Sequence, residues 1–164
     1  MLRCVTGGKQ VGTLFVHKHS LQSVGNSNER EYKMAYGIDE ILSMLCWSRP
    51  KDEQLHGIEL AKDVKCINAF LQPGPPYGKP VWDNCAVVLS KKSNQELAPY
   101  VYPLLVWLQD INWPGAILIY QRLLEFEDIQ IQYALRRCIF EAKMLKDDEW
   151  MNMLLKLKDK VPLR

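Results

Sequence analysis

Nine consecutive residues, Trp107 to Gly115, read Trp-Leu-Gln-Asp-Ile-Asn-Trp-Pro-Gly and constrain the fold more than any other stretch. One apolar helical pattern ends here, and Trp113-Pro114 begins the next, because proline in the first turn of a helix loses no hydrogen bond. Asp110 or Asn112 can accept hydrogen bonds from free N–H groups at that helix start. Helices joined by so short a turn are expected to pack on their neighbours, which predicts an all-α chain.

Apolar residues recur at helical spacing over residues 36–160. The patterns predict about seven helices, starting near 38, 52, 79, 95, 113, 128 and 147. The second is expected to run to just before Pro73, and the last to about Lys158. Pro103 does not suit a helix interior, so the fourth helix is expected to kink there or to begin near residue 103.

The predicted core faces follow from the same spacing. The first helix is expected to bury Ile38, Ile41, Leu42 and Leu45. The second is expected to bury Leu55, Ile58, Leu60, Ala61, Val64 and Ile67, and the sixth Ile131, Leu135, Cys138, Ile139 and Met144. Successive helix pairs start 41, 34 and 34 residues apart, which is typical of two-helix repeats. The sequence therefore predicts a HEAT-like α-solenoid.

The first 35 residues differ in composition from the rest. Gly, Ser and Asn interrupt any helical period, and a short strand over 12–16 would have no sheet to join. We predict a leader over residues 1–35, disordered or loosely attached, and a helical-repeat domain over 36–160. Met34 directly precedes the first helical pattern, which suggests the hypothesis that the natural chain starts there.

Charge and hydropathy limit the classes of partner. Residues 1–33 carry five Lys/Arg and two Asp/Glu, whereas the rest of the chain carries sixteen and seventeen. A nucleic-acid-binding protein concentrates bases on its folded body, so no nucleic-acid partner is expected. No apolar run approaches the roughly 20 residues that cross a bilayer, and no signal peptide is recognisable, so neither a membrane partner nor export is expected.

The sequence arranges no groups for catalysis or metal binding. The five cysteines form no Cys-x-x-Cys pair, which favours reduced thiols and a cytoplasmic location. Cys85 has no histidine near it in sequence and is expected in the core. His17 and His19 supply two ligands where structural zinc needs four, and His56 stands alone on the second helix. We therefore expect no catalytic residue, no metal and no cofactor.

Two stretches carry a family resemblance. One runs from Glu96-Leu97-Ala98-Pro99 through Leu104 to Pro114, and the other is Asp147-Asp148-Glu149-Trp150. Together they resemble the bacterial domain-of-unknown-function 5071 family over roughly residues 91–157. Gly115 stands where the family more often carries Val, and Met151-Asn152 replace a more basic and aromatic pair. Residues 36–90 lie outside this core and look like a further repeat pair.

The resemblance implies a HEAT-like fold and no assigned biochemical function. Similar small helical proteins often occur near bacterial polymorphic toxin and immunity genes, which implies immunity as an alternative function. Acids at helix junctions are explained by solvated caps, although in a solenoid they could form an acidic rim that faces a basic toxin. These acids are Glu125, Glu127, Asp128, Asp147, Asp148 and Glu149.

The tryptophan-rich turn is the main candidate for a partner-binding site or a structural junction. Exposed tryptophan is enriched where partners dock. In the favoured structural interpretation, the two tryptophans pack across the junction while polar neighbours satisfy the helix ends. The candidates, with those at the last helix start, are Trp107, Gln109, Asp110, Asn112, Trp113, Asp147, Asp148 and Trp150.

The sequence favours a non-enzymatic protein-binding module with a protein partner whose identity is open. An immunity protein that neutralises a bacterial toxin is the first alternative, and an enzyme using carboxylates such as Asp110 or Asp148 is the second. Convergent buried acids in a cavity would favour the enzyme, whereas an exposed groove with aromatic centres would favour the binder.

Overall fold

The computed structural model describes residues 36–126 and 129–161 of the 164-residue chain. The chain divides between Lys33 and Met34 into two units, and the second holds all of the described residues. The predicted leader, with its strand and its two histidines, lies outside them. Glu127 and Asp128 of the predicted acidic rim also lie outside.

Helices form the regular structure of the described residues, so the predicted all-α class is confirmed there. The α-helices are α1 (Ile38–Met44), α2 (Lys51–Ala61), α3 (Trp82–Ser90), α4 (Asn94–Leu97), α5 (Val101–Val106), α6 (Ala116–Leu124), α7 (Ile129–Leu145) and α8 (Asp148–Lys158). Short 3₁₀ turns occupy Ile67–Phe70, Lys79–Val81, Ala98–Tyr100 and Trp107–Gln109.

The predicted length of the second helix is wrong, because α2 ends at Ala61 and not just before Pro73. The chain turns over the next residues, and the ammonium group of Lys92 donates hydrogen bonds to the carbonyls of Lys62 and Val64 at 2.6 and 3.0 Å. This buried cation therefore satisfies carbonyls that a longer helix would have used. Leu55, expected to face the core, is 56% exposed.

The fourth predicted helix is divided into α4 and α5. Ser93 caps α4: its hydroxyl accepts the Glu96 N–H, while the Glu96 carboxylate accepts the Ser93 N–H. A 3₁₀ turn that contains Pro99 leads into α5. Pro103 is the third residue of α5, where an N–H would have had no partner within the helix. The predicted start near residue 103 is confirmed, and the alternative of a kink is not needed.

The helix predicted to begin at Trp113-Pro114 begins instead at Ala116. Gly115 precedes it with φ +79°, a left-handed backbone that L side chains rarely adopt. A Cβ atom on Gly115 would lie 2.5 Å from Ala86 Cβ and 3.0 Å from the carbonyl oxygen of Trp82. Glycine thus sets the start of α6 and lets the turn approach α3.

The core lies between pairs of helices. α3 packs on α6, α5 packs on α7, and α8 packs on both α7 and α6. α1 and α2 pack together, and α2 also contacts α3. The largest fully buried side chains are Trp107, Trp150, Phe70, Phe126, Leu45, Leu89, Leu97, Leu104, Leu105, Leu108, Ile119 and Leu123. Burial of each of these side chains stabilises the fold by roughly 1.5–3 kcal/mol. Apolar packing is therefore the main interaction that holds the helices together.

Buried polar side chains tie neighbouring helix pairs together. Asn84 Nδ2 donates to Gln54 Oε1 at 2.8 Å, and the ammonium of Lys92 binds the Lys62 carbonyl. Arg122 Nη2 donates to the Lys92 carbonyl at 2.9 Å. Each of these donors lies 30 residues after its acceptor. The same kind of tie therefore recurs along the chain.

Candidate functional site

The tryptophan-rich turn is a packed junction. Trp107 is fully buried, and its indole N–H donates to the Pro114 carbonyl at 3.1 Å. Trp82 of α3 packs edge-on against Trp107 and Trp113, with ring centroids 5.9 and 5.7 Å apart. The sequence indicates that Trp107 and Trp113 pack together across the turn. In the structure, each of them packs against a third ring, that of Trp82.

Asp110 closes the turn through its side chain and backbone. Its Oδ1 accepts the backbone N–H of Asn112 at 2.8 Å, and its carbonyl accepts the N–H of Trp113 at 3.0 Å. The side chains of Gln109 and Asn112 make no hydrogen bond with other described residues, so the capping expected of them is not seen. Of the three polar residues predicted to cap this turn, Asp110 is therefore the one whose side chain does so among the described residues.

The predicted residues at the last helix start lie at the N-terminus of α8. Asp147 Oδ1 accepts the backbone N–H of Trp150 at 2.9 Å, which caps the helix. The Trp150 side chain is buried, and its indole N–H donates to the Leu105 carbonyl at 2.9 Å. Asp148 is exposed in the first turn, where a negative charge interacts favourably with the helix dipole.

An open groove of about 590 Å³ runs beside the tryptophan-rich turn. Residues 111–115, three residues of α6 and Asp83 of α3 line it. The Lys79 ammonium lies 5.6 Å from the centroid of Trp113 and 6.0 Å from that of Trp82, within the range of a cation–π contact. Asp83 is the one carboxylate of the lining, so the groove lacks the paired acids that acid–base catalysis uses.

Helix α7 is apolar on two faces. One face is buried in the core and presents Ile131, Leu135, Cys138 and Ala142. The other is exposed and presents Ile129 (58%), Tyr133 (64%), Phe140 (64%) and Met144 (67%). Steps of four and seven residues return to the same side of a helix, so these four side chains form one line of roughly 22 Å. We call this line the α7 stripe.

Positively charged side chains lie along the α7 stripe. Arg136 lies midway along it, and Lys143 stands one residue before its end. Neither has an ion-pair partner among the residues that the structure describes. Arg137, beside the stripe, is engaged: its Nε donates to Glu141 Oε1 at 2.9 Å, and its guanidinium carbon lies 4.1 Å from the Tyr102 ring centroid.

An ordered polar cluster borders the stripe on the side of α5. The Tyr102 hydroxyl donates to Glu141 Oε2 at 2.8 Å. Hydrogen bonding from Arg137 and then from Tyr102 lowers the pKa of Glu141, and hydrogen bonding to that carboxylate raises the pKa of Tyr102. A surface pocket of about 370 Å³ lies next to the cluster, with Tyr133 and Arg137 in its lining. The stripe therefore has a concavity at its edge.

The α7 stripe is not among the candidate sites that the sequence indicates. The predicted core positions of Ile131, Leu135 and Cys138 are confirmed, whereas that of Met144 is wrong, because its side chain is exposed. The signal that could have found the stripe is a second apolar spacing, at 129, 133, 140 and 144. A helix with apolar residues on two sides has more apolar surface than one buried face accounts for.

The described residues show no convergence of reactive groups. Every Asp and Glu side chain within 36–126 and 129–161 is at least partly exposed. No three metal-binding side chains gather in this part of the chain. Burial raises the pKa of Cys85 and of Cys138 to about 12, which keeps both thiols protonated at neutral pH. No described helix has the length and apolar character needed to cross a membrane.

Comparison with known proteins gives one match. The family described as Domain of unknown function (DUF5071) matches residues 81–163, which is wider than the resemblance over 91–157 and takes in Trp82 to Cys85. No curated protein and no solved structure matches the chain. The matched residues make up just over half of the chain and contain the whole α7 stripe. The chain therefore belongs to the DUF5071 family.

Proposed function

We propose that this protein is a non-enzymatic protein-binding module built on HEAT-like helical repeats, and that the α7 stripe is its binding surface. The observation that carries the proposal is the exposure of four large apolar side chains in one line on one helix. Contiguous apolar surface and aromatic side chains mark places where partners dock. The stripe exposes apolar and aromatic side chains in one line, and the adjacent pocket adds a place for an anchoring side chain.

Two features support a repeat scaffold. The pair α3 and α5 packs on the pair α6 and α7, with α3 against α6 and α5 against α7. Three buried polar ties each join two residues that are 30 positions apart, close to the 34-residue advance of the predicted helix pairs. In a repeat array each unit contacts its neighbours, which leaves extended outer faces free for partners.

The polar chemistry favours binding over catalysis. The carboxylates considered for an enzyme have other positions: Asp110 closes a turn, and Asp148 lies in the first turn of α8. Neither belongs to a buried pair of acids, the arrangement that shifts carboxyl pKa values for acid–base work. A toxin domain is one candidate for the protein partner. The exposed acids Asp148 and Glu149 would then lie near the basic surface of the toxin.

Affinity capture from a lysate of the native source tests the proposal. The baits are the full chain, the variant Phe140→Glu and the matched control Leu55→Glu, which places the same charge on an exposed leucine of α2. We expect the wild type and the control to retain one partner in stoichiometric amount and Phe140→Glu to lose it, with all three folded by circular dichroism. Equal capture of the same proteins by all three baits would overturn the proposal.

A further inference from the structure

We infer that the occupant of the α7 stripe is an amphipathic helix that carries a carboxylate in the middle of its apolar face. The inference rests on the proposed function and adds the chemistry of the partner. The stripe is straight, roughly 22 Å long and four helical turns in extent, which suits a second helix laid against it. The pocket of about 370 Å³ beside Tyr133 accepts a side chain from such a helix.

The positive charge of Arg136 within the stripe favours an acidic partner. Arg136 stands between Tyr133 and Phe140, and it has no ion-pair partner among the described residues. A partner that covers the stripe removes water from this guanidinium, which is costly unless a carboxylate takes the place of that water. Arginine binds a carboxylate through two parallel hydrogen bonds, so an Asp or Glu at the centre of the partner helix meets the need.

A second copy of the chain is a poorer occupant. An antiparallel pair of α7 helices about the centre of the stripe would place Tyr133 against Phe140 of the other copy. It would also place Arg136 against Arg137 of the other copy and bring like charges together at the centre of the interface. The segment 1–33 of the same chain, with five bases and two acids, is also a poor match in charge.

An anionic membrane surface fits the stripe less well than a protein does. Helices that lie in a membrane interface keep their bases on the polar face, opposite the apolar one. Here Arg136 lies within the apolar line, so inserting the stripe would carry its guanidinium towards the hydrocarbon. A protein partner can place a carboxylate at that point, which a lipid chain cannot.

Selection from a displayed library of helical peptides tests the inference. The peptides are about 18 residues long, enough to span the stripe at 1.5 Å per residue, and their outward positions are randomised. The full chain is the bait. We expect enrichment of Asp or Glu at the central position, with affinity at least about tenfold weaker for Arg136→Glu and for Phe140→Glu. Selection on Arg136→Glu should enrich Lys or Arg instead, while Lys156→Glu, outside the stripe, should leave the preference acidic.

Different results of these experiments would overturn the acidic-helix inference and the proposed function. Selected peptides that lose binding to Phe140→Glu but lack a central acid, or ignore Arg136→Glu, overturn the acidic helix and leave the stripe as a binding surface. Failure to select any peptide that depends on Phe140 also overturns the inference, and lysate capture then decides the proposed function. Dimerisation in sedimentation, or flotation with phosphatidylcholine–phosphatidylserine vesicles, overturns it if Phe140→Glu abolishes either.

Discussion

The indole N–H of Trp150 donates a hydrogen bond of 2.9 Å to the backbone carbonyl of Leu105, which joins α8 to α5 inside the core. Trp107 makes a comparable bond to the carbonyl of Pro114. Both side chains are buried. Two of the tryptophans that carry the family resemblance thus hold helices together, whereas the exposed line of apolar side chains lies on α7.

We predict that Gly115→Ala destabilises the protein by roughly 2–5 kcal/mol. A side chain at φ +79° costs about 1–2 kcal/mol, and the added Cβ, 2.5 Å from Ala86 Cβ, forces α3 and the turn apart at a further cost of about 1–3 kcal/mol. Urea denaturation measures the change. Gly74→Ala is the matched control, because a Cβ there meets nothing within 4 Å. Similar small effects at the two sites would contradict this account of the turn.

Asn84→Ala is expected to lower the free energy of unfolding by roughly 1–3 kcal/mol. Asn84 Nδ2 donates to the Leu45 carbonyl at 2.7 Å and to Gln54 Oε1 at 2.8 Å, and its loss leaves buried acceptors unsatisfied. The neighbouring Asp83→Ala, at an exposed position, should change stability by less than about 0.5 kcal/mol. Equal losses for the two variants in chemical denaturation would show that the buried tie has no special weight.

Asp110→Ala should lower Tm by roughly 4 °C without changing partner binding. The substitution removes the acceptor for the Asn112 N–H, which is worth about 1 kcal/mol. Asp110→Asn keeps an acceptor oxygen and should retain most of the stability. Differential scanning calorimetry and the lysate capture supply the two readouts. Loss of the partner at unchanged Tm would place the tryptophan-rich turn in the binding surface.

Cysteine accessibility should follow burial. With a pKa of about 12, Cys85 and Cys138 are thiolate in only about one part in ten thousand at pH 8, and both side chains are fully buried. A short pulse of iodoacetamide should therefore modify the partly exposed Cys46 well before them, as read by peptide mass spectrometry. Addition of denaturant should remove the difference. Equally fast labelling of Cys85 in the native protein would contradict its place in the core.

The existence of the helices could be predicted because each buries a face that repeats along its length. Ile41, Leu42 and Leu45 show this for α1. The helix ends are harder to predict because residues distant in sequence determine them. Lys92 satisfies carbonyls beyond the end of α2, and the contact of Gly115 with α3 fixes a backbone angle that moves the start of α6.

The candidate site could not be chosen from spacing alone. Helix α7 has two regular apolar lines, one containing Leu135 and one containing Tyr133, and the sequence does not say which line other helices cover. Packing on α5 and α8 buries the first line and leaves the second open. The tryptophan content favours the tryptophan-rich turn as the candidate site instead, although Trp107 and Trp150 lie in the core.

Site-specific photo-crosslinking in cells of the native source tests whether the α7 stripe contacts a protein partner. Benzoyl-phenylalanine replaces Tyr133 on the α7 stripe in one chain and Leu55, which is also more than half exposed but lies on α2, in another. We predict a discrete crosslinked product with one partner protein from position 133 and none from position 55. Identical products from both positions, or no product from position 133, would contradict the assignment of the α7 stripe as a protein-binding surface.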